Sequence, residues 1–194
     1  MYKEVARFEV PDSAESPMTR WNPMIVAAVV CALAATNLAD EKNDRHDRAV
    51  AEIERLGGVV KMYKDSRGSP YSTVALGERW TGGDAGLIHL RDLLHLTLLD
   101  IRNVPITDQG MAHLACLTAL EGLYLRDTKV TDKGMVHLKP LVKLKRLSLR
   151  RSQISVAGMT HLTDLKELIY VEIGGTQLTS LRELRRLLPQ VADW

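Results

Sequence analysis

The chain has 194 residues, of which 45% are hydrophobic, a length that suits one domain with a real core and is too short for two. The 26 lysines and arginines nearly balance the 24 aspartates and glutamates, so no overall charge draws the protein to nucleic acid or to an anionic membrane. Only 5% of the residues are aromatic, which leaves few rings for stacking on bases or sugars.

An apolar run at residues 24–35 is the first feature along the chain. The run is short for a membrane span, which needs about 20 residues, but its length suits the hydrophobic region of a signal peptide. Arg20 lies just upstream, and a start of translation at Met18 would create an ordinary positively charged leader. Four acidic residues among residues 1–17 argue against a leader that starts at Met1.

Three interpretations of residues 24–39 stay open, namely a cleaved signal peptide, an uncleaved signal anchor and a buried helix in a cytoplasmic protein. The first two are favoured, so we expect export or membrane attachment rather than a cytoplasmic location. Residues 1–43 are assigned to an N-terminal extension that contains this run. Any contact with a membrane is expected through residues 24–39 alone.

Residues 44–77 predict a helix followed by a β-hairpin. Val50, Ile53 and Leu56 recur at a spacing of three among charged residues, and two glycines then end the amphipathic helix. Two β-rich runs, 59–63 and 71–76, flank a turn-forming stretch. A helix and a hairpin directly before a repeat array are expected to form an N-terminal cap, because the first repeat has an apolar face to cover.

The second half of the chain is repetitive. Four glycines recur at a constant interval of 24 residues: Gly86, Gly110, Gly134 and Gly158. A strand signature of the form Leu-x-x-Leu-x-Leu follows each one, as in Leu120, Leu123 and Leu125. This alternation predicts a strand with one buried face, and the apolar residues after each glycine recur at helical spacing. Each unit is therefore predicted to be a strand, a turn and a short helix.

The period and the phrase Thr-Asp-x-Gly-Met-x-His-Leu, at residues 107–114 and 131–138, resemble the leucine-rich-repeat family, in particular its 24-residue bacterial, ribonuclease-inhibitor-like variety. The resemblance implies an α/β fold, a right-handed solenoid with a parallel sheet on its concave side and short helices on its convex side. We assign residues 78–194 to the repeats, with a C-terminal capping helix at 180–188. The chain departs from the pattern at Val156, where the other units carry Asp84, Asp108 and Asp132.

Several polar positions also repeat. Helix N-caps are predicted at Thr107, Thr131, Ser155 and Thr179, with Asp108 and Asp132 placed favourably for the helix dipole. Hydrogen bonds between successive turns of the coil are predicted at Thr128, Ser152 and Thr176. One histidine recurs in every unit, at His89, His113, His137 and His161, and we expect these imidazoles to pack beside the helices and bond to a neighbouring turn. Neighbouring helices lie about 8–10 Å apart, too far for zinc bonds of about 2 Å to be shared.

The sequence contains no glycine-rich phosphate loop, no paired acids and no nucleophile with an evident base. Cys31 and Cys116 are too far apart in sequence and context to predict a disulfide framework or a metal site. We therefore expect a protein that is not an enzyme and that uses no cofactor and no metal.

The side chains between the buried strand leucines point to solvent on the concave face, stacked about 4.8 Å apart from strand to strand. The predicted partner-binding residues there are Arg102, Tyr124, Arg126, Arg146, Arg150 and Tyr170. Arginine and tyrosine are typical of binding hot spots, and guanidiniums can grip carboxylates or phosphates. The alternative is a solvated face that Asp100, Asp127 and Glu172 partly neutralise.

The function predicted from this face is a monomeric scaffold that binds a protein or peptide. A second hypothesis is an envelope-associated sensor that binds an anionic glycan or lipid head group through the arginines. A third is an adaptor similar to the substrate receptors of eukaryotic ubiquitin ligases, although no adaptor-binding domain is evident in the N-terminal part of the chain. No nucleic-acid partner is expected.

Overall fold

The computed structural model describes residues 23–178 and 181–192, and the chain divides into two units between Glu41 and Lys42. The described residues of the first unit are helical and belong to α1 (Pro23–Arg55). The predictions about Met1, Met18 and Arg20 lie outside the described residues. Among the helices that are described, none has the length and apolar character needed to cross a membrane.

A six-stranded sheet organises the second unit, with its strands in chain order from one edge to the other. The strands are β1 (Val59–Lys64), β2 (Pro70–Ala75), β3 (Leu96–Asp100), β4 (Gly122–Tyr124), β5 (Arg146–Ser148) and β6 (Tyr170–Glu172). The predicted hairpin is confirmed, because β1 and β2 pair antiparallel. All later neighbours pair in parallel, as a strand–turn–helix repeat requires.

A short helix or 3-10 turn follows each strand from β2 to β6. The α-helical pieces are α2 (Gly83–Gly86), α3 (Asp108–Met111), α4 (Val156–Met159) and α5 (Leu181–Leu187), and 3-10 turns cover Leu87–Asp92, Ala112–Leu114, Gly134–Leu138 and Thr160–Leu162. Leu99, Leu123 and Leu147 stand opposite one another in the sheet and are fully buried, so each repeat adds one layer to a continuous core. The architecture is therefore an α/β leucine-rich-repeat solenoid.

The second half of α1 and the hairpin contact the start of this core. Ile53 is fully buried in it, and Val50 and Leu56 pack against it, as the amphipathic pattern predicts. The helix ends before Gly57, which adopts φ +90° and lies so close to Arg79 that any Cβ atom would overlap the Arg79 carbonyl. Only glycine combines that backbone angle with that close approach. Further along α1, His46 Nδ1 accepts a hydrogen bond of 3.2 Å from the Leu94 N–H.

The turns into the convex helices carry a hydrogen-bonded bridge from each repeat to the next. The predicted N-caps at Thr107 and Ser155 are confirmed, since their hydroxyls accept bonds of 3.3 and 3.2 Å from N–H groups two residues on. Asp108 accepts bonds from the N–H of Thr131 at 2.8 Å and from its hydroxyl at 2.7 Å, one repeat further along. Asp84 bridges to Thr107, and Asp132 to Ser155, in the same way.

This bridge gives the repeated aspartates a role that the helix dipole alone did not predict. It also explains the repeated glycine, because a Cβ atom at Gly134 would lie 2.6 Å from the Asp108 Oδ1. The bridges stop at Ser155, since Val156 replaces the next aspartate. The N-cap predicted at Thr179 lies outside the described residues.

Two predictions about polar positions were wrong. Thr128, Ser152 and Thr176 do not bond between turns of the coil, because each hydroxyl donates to the carbonyl three residues earlier in its own repeat. That carbonyl lies just past the end of the strand of the same repeat, within reach of the hydroxyl. The four repeated histidines are half-buried, and within the described residues their imidazoles form no hydrogen bond with a neighbouring turn.

Candidate functional site

The concave face is the side of the sheet that carries Leu98, Gly122, Arg146 and Tyr170. These residues stand opposite one another from β3 to β6, as the repeat alignment predicts. A second column, with the predicted Tyr124 in it, consists of Asp100, Tyr124, Ser148 and Glu172. The parallel pairing thus holds the side chains of different repeats side by side on a rigid backbone.

Beyond the strand ends, backbone hydrogen bonds keep the next positions in line. The N–H groups of Asn103, Asp127 and Arg151 donate to the carbonyls of Arg126, Arg150 and Gly174, at 2.9 to 3.0 Å. Asn103, Asp127 and Arg151 all have φ between +55° and +60°, so the chain turns sharply away from the sheet there. Arg102, Arg126 and Arg150, which we call the arginine row, therefore stand in line just before this turn.

Every member of the arginine row is paired with a carboxylate. Arg102 donates to both oxygens of Asp100 at 2.8 and 2.9 Å, and these hydrogen bonds raise the pKa of the guanidinium above its usual value. Arg126 bonds Asp127 at 3.0 Å, and Arg150 lies 3.4 Å from Glu172. These ion pairs agree with the partial neutralisation by Asp100, Asp127 and Glu172 that the alternative interpretation predicted. The row is a sequence of ion pairs rather than a strip of free positive charge.

The column of Leu98, Gly122, Arg146 and Tyr170 differs from the arginine row in its charge and exposure. Arg146 is exposed, and within the described residues its guanidinium forms no ion pair or hydrogen bond. Tyr170, its neighbour on β6, keeps 37% of its surface exposed. Gly122, on the other side of Arg146, contributes no side chain at all. This column therefore offers a partner the ring of Tyr170 and the guanidinium of Arg146, which has no partner among the described residues. At Gly122 it carries no side chain.

The hairpin adds an aromatic pair that is not among the partner-binding residues predicted from the sequence. Tyr63 and Tyr71 face each other across β1 and β2 and stack with ring centroids 5.3 Å apart and planes at 21°. Tyr63 remains 44% exposed. The signal in the sequence was the alternation along the two strands, which places Tyr71 and Thr73 on the same face as Leu98.

Two open grooves lie on this unit, and neither of them brings all the predicted site residues together. A groove of about 730 Å³ is lined by residues that include Tyr63, Asp65, Tyr71, Leu98, Glu121 and Arg146. A second groove of about 580 Å³ has a lining that includes Arg79, Asp100, Arg102, Asn103 and Arg126. Arg102 and Arg126 thus share one groove and Arg146 lines the other, whereas Tyr124, Arg150 and Tyr170 line neither of these two.

The groups on this face can take part in non-covalent recognition. Among residues 23–178 and 181–192, no group of three histidine, cysteine, aspartate or glutamate side chains is placed to hold a metal ion. The face offers guanidinium donors, phenol rings and carboxylates held by hydrogen bonds, with Glu172 accepting from the Ser148 hydroxyl at 2.7 Å. Such groups recognise polar and aromatic partners by hydrogen bonding and packing.

No protein-family model matches the sequence, and a comparison with curated proteins found no match. Among solved structures, internalin C2 of Listeria monocytogenes is 22% identical with a TM-score of 0.48, and the match covers 61% of this chain and 58% of that one. The internalin inlF of the same organism is 18% identical with a TM-score of 0.41, covering 75% and 47%. The leucine-rich-repeat ectodomain of the receptor kinase SOBIR1 from Arabidopsis thaliana is 13% identical with a TM-score of 0.39, covering 76% of each chain.

The chain thus spans a little over half the length of internalin C2. The fold itself rests on this chain's own residues: the 24-residue period, the parallel sheet and the buried leucines in register. By these features the protein has the fold of a leucine-rich-repeat protein.

Proposed function

We propose that the protein is a non-catalytic scaffold that recognises a protein or peptide on its concave face. The observation that carries the proposal is the contrast between the two kinds of position in the repeat. The strand leucines and the turn aspartates recur and are buried or bonded to the next unit, whereas the column of Leu98, Gly122, Arg146 and Tyr170 changes from unit to unit and leaves Arg146 and Tyr170 open to solvent.

The rigidity of the face supports this function. A preorganised surface binds more tightly, because little side-chain and backbone freedom is lost on association. Tyr124 lies on a central strand, and the ion pairs of the arginine row restrain long side chains that would otherwise be mobile. The bond from Arg126 to Asp127 uses Nε, so its two terminal nitrogens remain available to a partner.

The ion pairs also bear on the alternative, an anionic glycan or lipid head group bound by the arginine row. Asp100, Asp127 and Glu172 cancel much of the positive charge that such a ligand needs. A protein partner can exchange these ion pairs for its own, whereas a polyanion gains little. We therefore favour a protein or peptide.

Selection from a displayed library of short random peptides tests the proposal, with the full chain immobilised as bait. Fluorescence anisotropy then measures the affinity of each selected peptide for the wild type and for the Tyr124→Ala/Tyr170→Ala variant. We expect the variant to bind at least about tenfold more weakly, because tyrosines that a partner buries commonly act as binding hot spots. The matched control is Val136→Ser/Val142→Ser, which changes two exposed apolar residues away from the concave face.

Equal affinity in the wild type and the tyrosine variant would place binding elsewhere and contradict the proposal. Binding of heparin or of phosphatidylglycerol vesicles that is lost on replacing Arg102, Arg126 and Arg150 with glutamate would favour the anionic ligand instead.

A further inference from the structure

Strand β1 forms one edge of the sheet, and its outer side carries free backbone groups. The Asp65 N–H donates to the Ser69 carbonyl at 2.9 Å, and from there β1 pairs with β2 along its whole length without a shift. Because antiparallel residues alternate between bonded and non-bonded pairs, Val60, Met62 and Lys64 direct their N–H and carbonyl groups away from β2. Within the part of the chain that the structure describes, those outward groups form no hydrogen bond.

The same strand exposes apolar side chains. Eight large hydrophobic residues are exposed among the described residues, and three of them lie on this one strand, namely Val59, Met62 and Tyr63, with 44% to 50% of their surface open. At the opposite end of the sheet, by contrast, the Ala192 N–H donates to the Ile169 carbonyl beside β6 at 3.0 Å. A long edge strand with open backbone groups and apolar side chains pairs readily with another strand.

The two lysines of β1 decide which strand fits this edge. Like charges directly opposite each other destabilise a strand pair, and edge lysines commonly prevent pairing for that reason. Two copies of β1 nevertheless have a register that avoids this conflict. When Met62 faces its own copy, Lys64 lies opposite Val60 of the partner subunit and Lys61 lies opposite the partner's Tyr63, so each lysine meets an uncharged side chain.

This register is also the one that uses every outward backbone group. It forms three hydrogen-bonded pairs with two bonds each, through Val60, Met62 and Lys64 of both copies. A shift of two residues in either direction loses one of these pairs, and one of the two shifts brings Lys61 opposite its own copy. In the favoured register the Lys61 ammonium can lie against the aromatic ring of the partner's Tyr63, a contact that is attractive in itself.

We infer that the partner for this edge is a second copy of the chain, paired antiparallel through β1 with Met62 on the twofold axis. The axis stands perpendicular to the sheet, so the two sheets join edge to edge and both concave faces lie on the same side. The inference goes beyond the proposed function and does not depend on it. It implies that the assembly presents two concave faces to a bivalent ligand, which gains affinity by binding both.

Sedimentation equilibrium of the full chain measures the association. Two six-residue strands make a small interface, so we expect a weak dimer with a dissociation constant of about 10–100 µM. Met62→Lys brings two like charges together on the axis and is expected to weaken the dimer at least about tenfold. Met62→Pro removes the donor on the axis, and the hairpin should tolerate it because this N–H points to solvent. The matched control is Val142→Lys, which changes an exposed apolar residue outside the sheet.

Cysteine cross-linking tests the register. In a Cys31→Ser/Cys116→Ser background, Met62→Cys places the two Cα atoms about 5.5 Å apart across the axis, within the range of a disulfide. Tyr63→Cys is the matched control, because the two copies of this residue then lie diagonally, with Cα atoms about 7–8 Å apart. On mild oxidation with glutathione disulfide, we expect the Met62→Cys chain to form the covalent dimer at least about tenfold faster than the Tyr63→Cys chain.

Each outcome supports or overturns the inference. A chain that stays monomeric up to about 1 mM would overturn it and leave the edge to a strand of another protein. A dimer that Met62→Lys and Met62→Pro leave unchanged, or faster cross-linking through Tyr63→Cys, would also overturn it. Circular dichroism and thermal melting check folding, and Met62→Lys with the cross-linking decides the question if Met62→Pro unfolds. A dimer that is weakened by Met62→Lys and cross-linked through Met62→Cys supports the inference.

Discussion

The turns into the convex helices and the concave face come from the same 24-residue repeat, yet their side chains follow opposite rules. In the turns, each aspartate contacts a hydroxyl and a glycine of the following repeat, so the same residue types recur. On the concave face, Leu98, Gly122, Arg146 and Tyr170 occupy one column and share no chemistry. Positions that bond to a fixed position of the next repeat keep the same residue type, whereas positions that face solvent are free to vary and to acquire a ligand.

The largest expected difference in stability is between alanine substitutions at a glycine of the turns, Gly134, and at a glycine of the concave face, Gly122. Gly134→Ala places a Cβ atom 2.6 Å from the Asp108 Oδ1 and 3.0 Å from Met111 and Val130. The aspartate can yield only by giving up its bonds to Thr131, so we expect a loss of about 3 kcal/mol or more in the free energy of unfolding. Urea denaturation followed by circular dichroism measures this.

Gly122→Ala is the matched substitution on the concave face, where an added Cβ has no close neighbour. Its free energy of unfolding is expected to stay within about 1 kcal/mol of the wild type, with a gain as the favoured direction, because alanine restricts the unfolded chain. A large loss of stability in Gly122→Ala, or no loss in Gly134→Ala, would contradict the distinction between the two regions.

Removal of the bridge between Asp108 and Thr131 is expected to cause the next largest loss of stability. Asp108→Ala removes two bonds to Thr131 and leaves a partly buried N–H without a partner, which should cost about 2–3 kcal/mol. Asp164→Ala is the control, because Asp164 is exposed and its carboxylate forms no bond within the described residues. If both variants unfold at the same urea concentration, the bridge contributes no stability.

A smaller effect is expected at Thr128, whose hydroxyl bonds the Leu125 carbonyl at 2.8 Å within one repeat. Thr128→Val keeps the shape and loses one hydrogen bond, for a cost of about 1 kcal/mol. The first repeat already carries Val104 at this position, buried to 2% exposure, which shows that the shape is tolerated. The exposed Thr118→Val serves as a control in the same thermal melts, and a loss above that of Asp108→Ala would contradict the ranking.

The arginine row should contribute least to stability. Arg126→Ala breaks an ion pair whose side chains are 35% and 29% exposed, so we expect a cost of less than about 1 kcal/mol, decreasing further as salt is added. Urea denaturation at low and high salt measures it. A large and salt-independent loss would show that the row is part of the scaffold and would remove the distinction between the two regions.

The amino-acid sequence by itself determined the repeat, its secondary structure and the register of the concave columns. These follow from local periodicity, since leucines at period two make a strand and a constant 24-residue interval aligns equivalent residues between units. The sequence also identified Arg146 and Tyr170 as neighbours, because parallel pairing preserves the alignment from strand to strand.

Only the tertiary structure decided which polar groups are engaged. The aspartates of the turns reach the next repeat, the hydroxyls of Thr128, Ser152 and Thr176 turn back to their own carbonyls, and the arginine row is paired with carboxylates. These contacts depend on side-chain direction and on distances of a few ångströms, which periodicity does not specify. For the same physical reason, the stack of Tyr63 on Tyr71 became visible only when neighbouring strands were placed side by side.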